Sequence, residues 1–238
     1  MEKFTGTVAG PEALKTMPEE YQNAVAKIVV SHAINELTGA ETFDAPANRL
    51  APTPRYKWLV SRVAMEEYGH HLLFARLAKG MGIDWRANKR PLTLFDYPMV
   101  TWVEFGVLKA LGDLAEIIQL EDLMECSYLP LREVAIKTMP EERFHVGLGQ
   151  GIVRDLLQNP DNRPAVQAAF DQVLPNVLPF FGKANSLNNA LFQRWGIKRR
   201  TNSEMRREYW RRAEAFAREH QLAMPAVPEA YRSELMVQ

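Results

Sequence analysis

Apolar positions recur at intervals of three and four through six long stretches of the chain, about 18–38, 54–80, 100–126, 130–158, 163–182 and 202–221. That period matches one face of a helix, and the two-residue alternation of strands is scarce, so the chain is predicted to be all-α. Pro54, Pro130 and Pro164 fall where a first-turn proline is tolerated, and Gly39, Gly80 and Gly182 where helices commonly stop. Thr201 and Glu204 have the spacing of a capping box and mark the start of the last helix. Pro140 is the awkward residue, because a proline inside a helix removes a hydrogen bond. Either the fourth helix bends just before residue 142 or it begins near Thr138. No repeat, low-complexity tract or shift of composition divides the chain. We expect one domain over 1–238, with a core bundle at about 18–158 and further helices at about 163–221.

Three of the apolar faces are interrupted by a carboxylate. Glu67 shares its face with Val60, Val63, Ala64, His70, His71, Phe74 and Leu77. Glu142 shares one with Ala135, Met139 and Val146, and Glu36 one with Val25, Ile28, Val29 and Ala33. A carboxylate in a core must be protonated, paired or bound to metal. Glu67 and Glu142 are each followed by a histidine three places on, His70 and His145, and such a pair on one helix face can hold one metal ion. With 5 histidines in 238 residues, chance supplies less than one such spacing, so two are informative. The pattern predicts a ferritin-like four-helix bundle with a di-iron carboxylate site and additional C-terminal helices. Hairpin geometry suggests the contribution of the third long helix. About a turn near Ser127 and Tyr128, Asp113 lies level with Glu142, whereas Glu116 is about 4.5 Å lower at 1.5 Å per residue. Asp113 is the expected ligand and Glu116 the reserve, the competing role for Asp113 being an ion pair with Lys109 one turn earlier.

Composition narrows the function. Lysine plus arginine and aspartate plus glutamate number 29 each, so no strong field points to nucleic acid or an anionic membrane. The lone Cys126 excludes an internal disulfide framework and suits a reducing compartment. No apolar stretch is long enough to span a bilayer, and the N-terminus does not read as a signal peptide, so a cytoplasmic location is expected.

The stretches Ser31–Gly39, Met65–His70, Phe95-Asp-Tyr-Pro98 with Thr101-Trp102, Glu141–His145 and Lys198–Asn202 occur as an ordered set across most of the chain. Together they resemble the catalytic subunit of the bacterial multicomponent phenylacetyl-CoA epoxidases. The resemblance implies a di-iron monooxygenase that takes O₂ as co-substrate and epoxidises the ring of an aromatic acyl-CoA. Its metal ligands would be Glu36, Glu67, His70, Asp113, Glu142 and His145, holding two iron ions. Lys198 and Asn202 would contact the CoA moiety, with Lys27 opposite. A helical non-catalytic sister subunit, together with a flavin and iron–sulfur reductase fed by NADPH or NADH, would complete a hetero-oligomer.

Two departures bear on the substrate. Val63 stands where the family pattern has lysine, and Lys109 where it has glycine, so the chain could serve another acyl-CoA. His32, one turn before Glu36, is a candidate to orient a ligand or a satisfied core histidine, and His71 is not assigned to metal. The basic run Lys198, Arg199, Arg200, Arg206, Arg207, Arg211 and Arg212 ordinarily reads as a solvated face. An iron-storage relative and a metal-free structural sister subunit are the remaining alternatives. Storage cages need short bundles with acidic interiors, and loss of ligands would mark the structural subunit.

Overall fold

The computed structural model describes residues 3–87, 93–96 and 99–236. Among the described residues ten α-helices follow in order: α1 Pro11–Lys15, α2 Glu19–Phe43, α3 Ala45–Leu50, α4 Pro54–Gly80, α5 Trp102–Leu123, α6 Leu129–Leu156, α7 Arg163–Val177, α8 Leu187–Arg194, α9 Asn202–His220 and α10 Arg232–Leu235. Short 3₁₀ turns join several of them, and among the described residues the only extended pairing is an isolated bridge between Val8 and Tyr128. The fold is all-α and ferritin-like. Helices α2 and α4 form one long hairpin and α5 and α6 a second, with α7 and α9 packed against α5, α10 against α9 and α8 against α2. No described helix is long and apolar enough to cross a membrane.

The predicted starts hold because the capping chemistry is local. Thr53 accepts the Tyr56 amide ahead of α4, and Thr101 with Glu104 and Thr201 with Glu204 form complete capping boxes. The stops are less regular. Helix α2 passes through Gly39, which is buried, and ends only after Phe43. The stretch at 163–182 is an α-helix to Val177 and a 3₁₀ turn from Leu178 to Phe181, closed by Gly182 at φ +79°. Four short helices, α1, α3, α8 and α10, have too few turns to show a period in sequence. Tyr97 and Pro98 of the Phe95–Pro98 motif lie outside the described residues.

Helix α6 runs unbroken from Leu129, so it does not begin at Thr138. Pro140 is on its exposed face, and the carbonyl it leaves unpaired belongs to Ile136, itself half-exposed, where water can serve it. The α5–α6 hairpin is also offset from expectation. A Cβ on Gly149 would lie 2.3 Å from the Ala110 amide nitrogen, and one on Gly106 would lie 2.5 Å from Ile152 Cγ2. These contacts move the mirror point toward Leu129, and Asp113 is level with His145, about one turn past Glu142.

Packing supplies the rigidity. One apolar cluster runs from Tyr21, Val25 and Val29 through Leu111, Ile118 and Leu131 to Phe170, Tyr209 and Phe216. A second, around Phe43, Val60, Val63, Phe105 and Ile152, closes the other end of the bundle. Between them lies a polar interior.

Candidate metal centre

That interior is made by the four long helices. Glu36 comes from α2, Glu67 and His70 from α4, Asp113 from α5, and Glu142 and His145 from α6. All but Asp113 are less than a tenth exposed, and the Asp113 side chain is 13% exposed. Glu36, Glu67, His70 and Glu142 can each bring one ligand atom within 4.8 Å of the others. Asp113, Glu142 and His145 form a second such group, so Glu142 belongs to both. His32, Glu36 and Glu116 form a third, on the flank. The structure thus gathers all six expected ligands and places the reserve residue Glu116 beside Glu36 rather than beside His145.

The histidine geometry fits a metal ion. His70 Nδ1 lies 3.0 Å from Glu142 Oε1 and 3.4 Å from Glu36 Oε2, while His145 Nδ1 lies 3.4 Å from Glu67 Oε1 and 3.5 Å from Glu142 Oε2. Both Nδ1 atoms are buried and make no hydrogen bond, whereas Asp113 Oδ2 and Glu116 Oε1 nearby face Lys109 and His32. Buried polar atoms left without partners are costly, and two ring nitrogens turned toward the same carboxylates are what an ion would satisfy. The outward nitrogens are held by other carboxylates. His70 Nε2 is 2.7 Å from Glu141 Oε2, and His145 Nε2 is 2.9 Å from Glu66 Oε2. Each histidine is therefore held by the glutamate that precedes the inward glutamate of the facing motif. A carboxylate that accepts a hydrogen bond from Nε2–H in the neutral ring leaves the Nδ1 lone pair turned inward. Arg62 donates to Glu66 at 2.7 Å and stacks over Phe144, which fixes that carboxylate in turn. Sequence reasoning missed Glu66 and Glu141. The doubled glutamate before each histidine was the available signal, but the pairing crosses helices and needs the fold.

Charge in the centre is heavily coupled. Burial alone raises a carboxyl pKa, and it carries Glu36 well above its ordinary range despite His70. At Glu67 burial is outweighed by the Lys109 ammonium and His145, which hold it well below. Asp113 is raised to about 7 by burial, with Lys109 opposing. Glu142, against burial, is drawn down to about 2, chiefly by His145. His70 rises to about 12 because Glu142 and Glu36 overcome its burial, and His145 is raised as well. The expected alternative for Asp113 is also realised: Lys109 Nζ lies 2.6 Å from Asp113 Oδ2.

Other histidines stand aside. His71 Nδ1 pairs with the Ala33 carbonyl at 2.7 Å and its ring packs on Trp85. His32 stacks on Phe74 and lies 3.2 Å from Glu116 Oε1.

A cavity of about 550 Å³, counting its open mouth, adjoins the carboxylates and is walled by Phe43, Leu94, Leu108 and Phe180, with Gly39 and Gly112 leaving room. Asn35, Glu116 and Phe180 are shared with an outer cleft that Lys198, Asn202, Asn188 and Asn189 line. Lys27 reaches that rim by donating to Asn188 Oδ1 at 2.9 Å. Lys198 is buried, donates to Gln119, and burial brings its pKa down to about 8. Most backbone amides around the start of α9 are bonded. Asp122 accepts from the Arg199 and Arg200 amides, Glu204 from Thr201 and Asn189 from Asn202. Much of the basic run is paired too: Arg199 with Glu125, Arg200 with Asp122, Arg206 with Glu234, Arg211 and Arg212 with Glu208. Arg206 is fully buried, so this run is in part structural rather than a solvated face.

Comparison with known proteins agrees with this architecture. The chain is 29% identical over 224 residues to a component of the 1,2-phenylacetyl-CoA epoxidase of Escherichia coli (strain K12), an alignment covering 87% of this chain and 72% of that protein. Residues 8–235, which contain every side chain of the centre, match the family described as phenylacetic acid catabolic protein, and the chain belongs to that family.

Proposed function

We propose that this chain is the catalytic subunit of a multicomponent monooxygenase that binds two iron ions and epoxidises the ring of an aromatic acyl-CoA. The observation that carries the reading is the convergence of two buried, inward-facing histidine Nδ1 atoms with four carboxylates from four helices. Oxygen and nitrogen donors in that ratio suit ferrous iron, and ligand loss, the mark of a structural sister subunit, is absent. Glu36, Glu67, His70, Asp113, Glu142 and His145 would hold the ions. Bound there, a ferrous pair supplies the electrons for O₂ activation, a step that protein side chains do not perform alone.

The remaining chemistry belongs to the chain. Glu66 and Glu141 keep the Nε2 protons of His145 and His70 and so fix both rings. Phe43, Leu94, Leu108 and Phe180 wall an apolar cavity that would hold the aryl group and exclude water. Lys198 and Asn202 on the outer cleft, with Lys27 at its rim, would take the CoA handle, the ammonium groups serving its phosphates. One oxygen atom goes to the ring and the other leaves as water, which requires two electrons from NADPH or NADH through a separate reductase.

The test is anaerobic reconstitution with saturating ferrous iron, elemental analysis, and then turnover of phenylacetyl-CoA with ¹⁸O₂, a reductase and the other subunits. Two irons per chain and one labelled oxygen in the product are expected. Iron near zero in a fully helical protein would sink the proposal.

A further inference from the structure

The proposed reaction gives no role to Lys109, although it contacts Glu67 and Asp113 of the centre. It lies on α5 and is fully buried. Its Nζ is 3.1 Å from Glu67 Oε1, 2.6 Å from Asp113 Oδ2 and 4.0 Å above the Phe43 ring. Glu67 Oε1 is also the oxygen that faces His145 Nδ1 at 3.4 Å. The ammonium therefore stands among Asp113, Glu67 and His145, where an ion of the second group would be held. Of the other group the ammonium is ion-paired with Glu67 alone, and among the described residues no lysine or arginine is ion-paired with Glu36 or Glu142.

The charges make this asymmetry consequential. Glu36, Glu67, Asp113 and Glu142 can neutralise two divalent ions, and a retained ammonium would leave one positive charge in excess within a buried site. Excess charge is expensive there because low dielectric strengthens repulsion. Burial works against the ammonium form of Lys109, yet Asp113 and Glu67 hold its pKa above the ordinary lysine value.

We propose that Lys109 acts as a tethered occupant of the second cation position, so that the two halves of the centre load unequally. The half formed by Glu36, Glu67, His70 and Glu142 takes the first divalent ion. The half formed by Asp113, Glu142 and His145 takes the second only as the ammonium is displaced from Asp113, a ligand that the first half does not use. The inference rests on the metal-binding reading above and adds an order of loading to it.

Anaerobic titration with Co(II) alone, followed by calorimetry and by the visible absorption of the bound ion, tests the order. The wild type should bind in a tight and a weaker step. Lys109→Met should tighten the second step by roughly 5- to 150-fold, the usual range for coupling between two sites, and leave the first nearly unchanged. Lys109→Arg should keep the gap, because it keeps the charge. An unchanged second step in Lys109→Met would overturn the inference while leaving the metal centre standing, whereas no Co(II) uptake by any of the three proteins would remove both. A second measurement does not depend on the variants folding. Wild-type crystals grown with one equivalent of Co(II) should show anomalous density in the Glu36 and His70 half, and density shared equally between the halves would refute the proposal.

Discussion

Glu142 is the side chain on which both halves of the centre depend, and its neighbours on α5 illustrate how finely position matters. Asp113 and Glu116 are one turn apart on the same helix, yet Asp113 groups with Glu142 and His145 while Glu116 groups with His32 and Glu36. We expect Asp113→Ala to lower iron occupancy more than Glu116→Ala, read by elemental analysis after ferrous loading; the reverse order would transfer the α5 ligand to Glu116. Lys198 gives a separate test through pH. Its folded pKa of about 8 lies below the unfolded value near 10.5, so between these limits the unfolded chain binds more protons. Stability conferred by this residue is therefore lowest below pH 8 and rises as the ammonium is lost. Relative to Lys198→Met, the wild type should gain up to about 3 kcal/mol between pH 8 and 10.5, at about 1.4 kcal/mol per pKa unit. Urea denaturation of both proteins across that range measures it, and parallel curves would mean that the buried amine is better solvated than its surroundings indicate.

At the scale of elements, the long helices were legible because fifteen or more residues display a period and because Thr53, Thr101 and Thr201 cap through their own neighbours. That Glu36, Glu67 and Glu142 turn into the interior was legible for a related reason, each being a charge on an apolar stripe. What sequence could not supply was register between helices. Equal counting from Ser127 and Tyr128 set Asp113 level with Glu142, but Gly106 and Gly149 let α5 and α6 approach closely and set it level with His145 instead. The same close approach makes a prediction. A methyl group at Gly149 would meet backbone atoms of Lys109 and Ala110 at 2.3–2.8 Å, which cannot turn aside, whereas one at Gly106 would meet the side chain of Ile152. Gly149→Ala should cost about 1–3 kcal/mol and reduce metal occupancy, because α5 carries Asp113 and α6 carries Glu142 and His145. Gly106→Ala should cost less and leave occupancy near wild type. Thermal melts with metal analysis decide, and full occupancy in a destabilised Gly149→Ala would show that the centre tolerates separation of the helices.

Across the whole molecule, the proposed function requires the apolar cavity, the outer cleft and an outside source of electrons to work together. Asn35, Glu116 and Phe180 border both cavities, so a ligand with an aryl end at the carboxylates could extend toward Lys198 and Asn202. Under the proposed function phosphate recognition there falls chiefly to side chains, because the Thr201, Asn202 and Glu204 amides are already bonded, and Lys198→Ala should weaken acyl-CoA binding about 5- to 150-fold without changing iron content. Calorimetry at two salt concentrations tests this, since a phosphate contact weakens as salt rises; equal affinities for wild type and variant would return Lys198 to a structural role with Gln119. Electrons pose a different problem. The chain has no Gly-rich dinucleotide fingerprint and one cysteine, Cys126, which is buried, so it cannot assemble a cysteine-ligated iron–sulfur cluster or a nicotinamide site of that type. The iron-loaded chain alone should therefore turn over acyl-CoA poorly with NADH or NADPH, and addition of a flavin and iron–sulfur reductase with the helical partner subunit should restore repeated turnover. Oxygen consumption coupled to epoxide formation is the measurement. Sustained nicotinamide-dependent oxidation by this chain alone would show that it carries an electron entry site of its own.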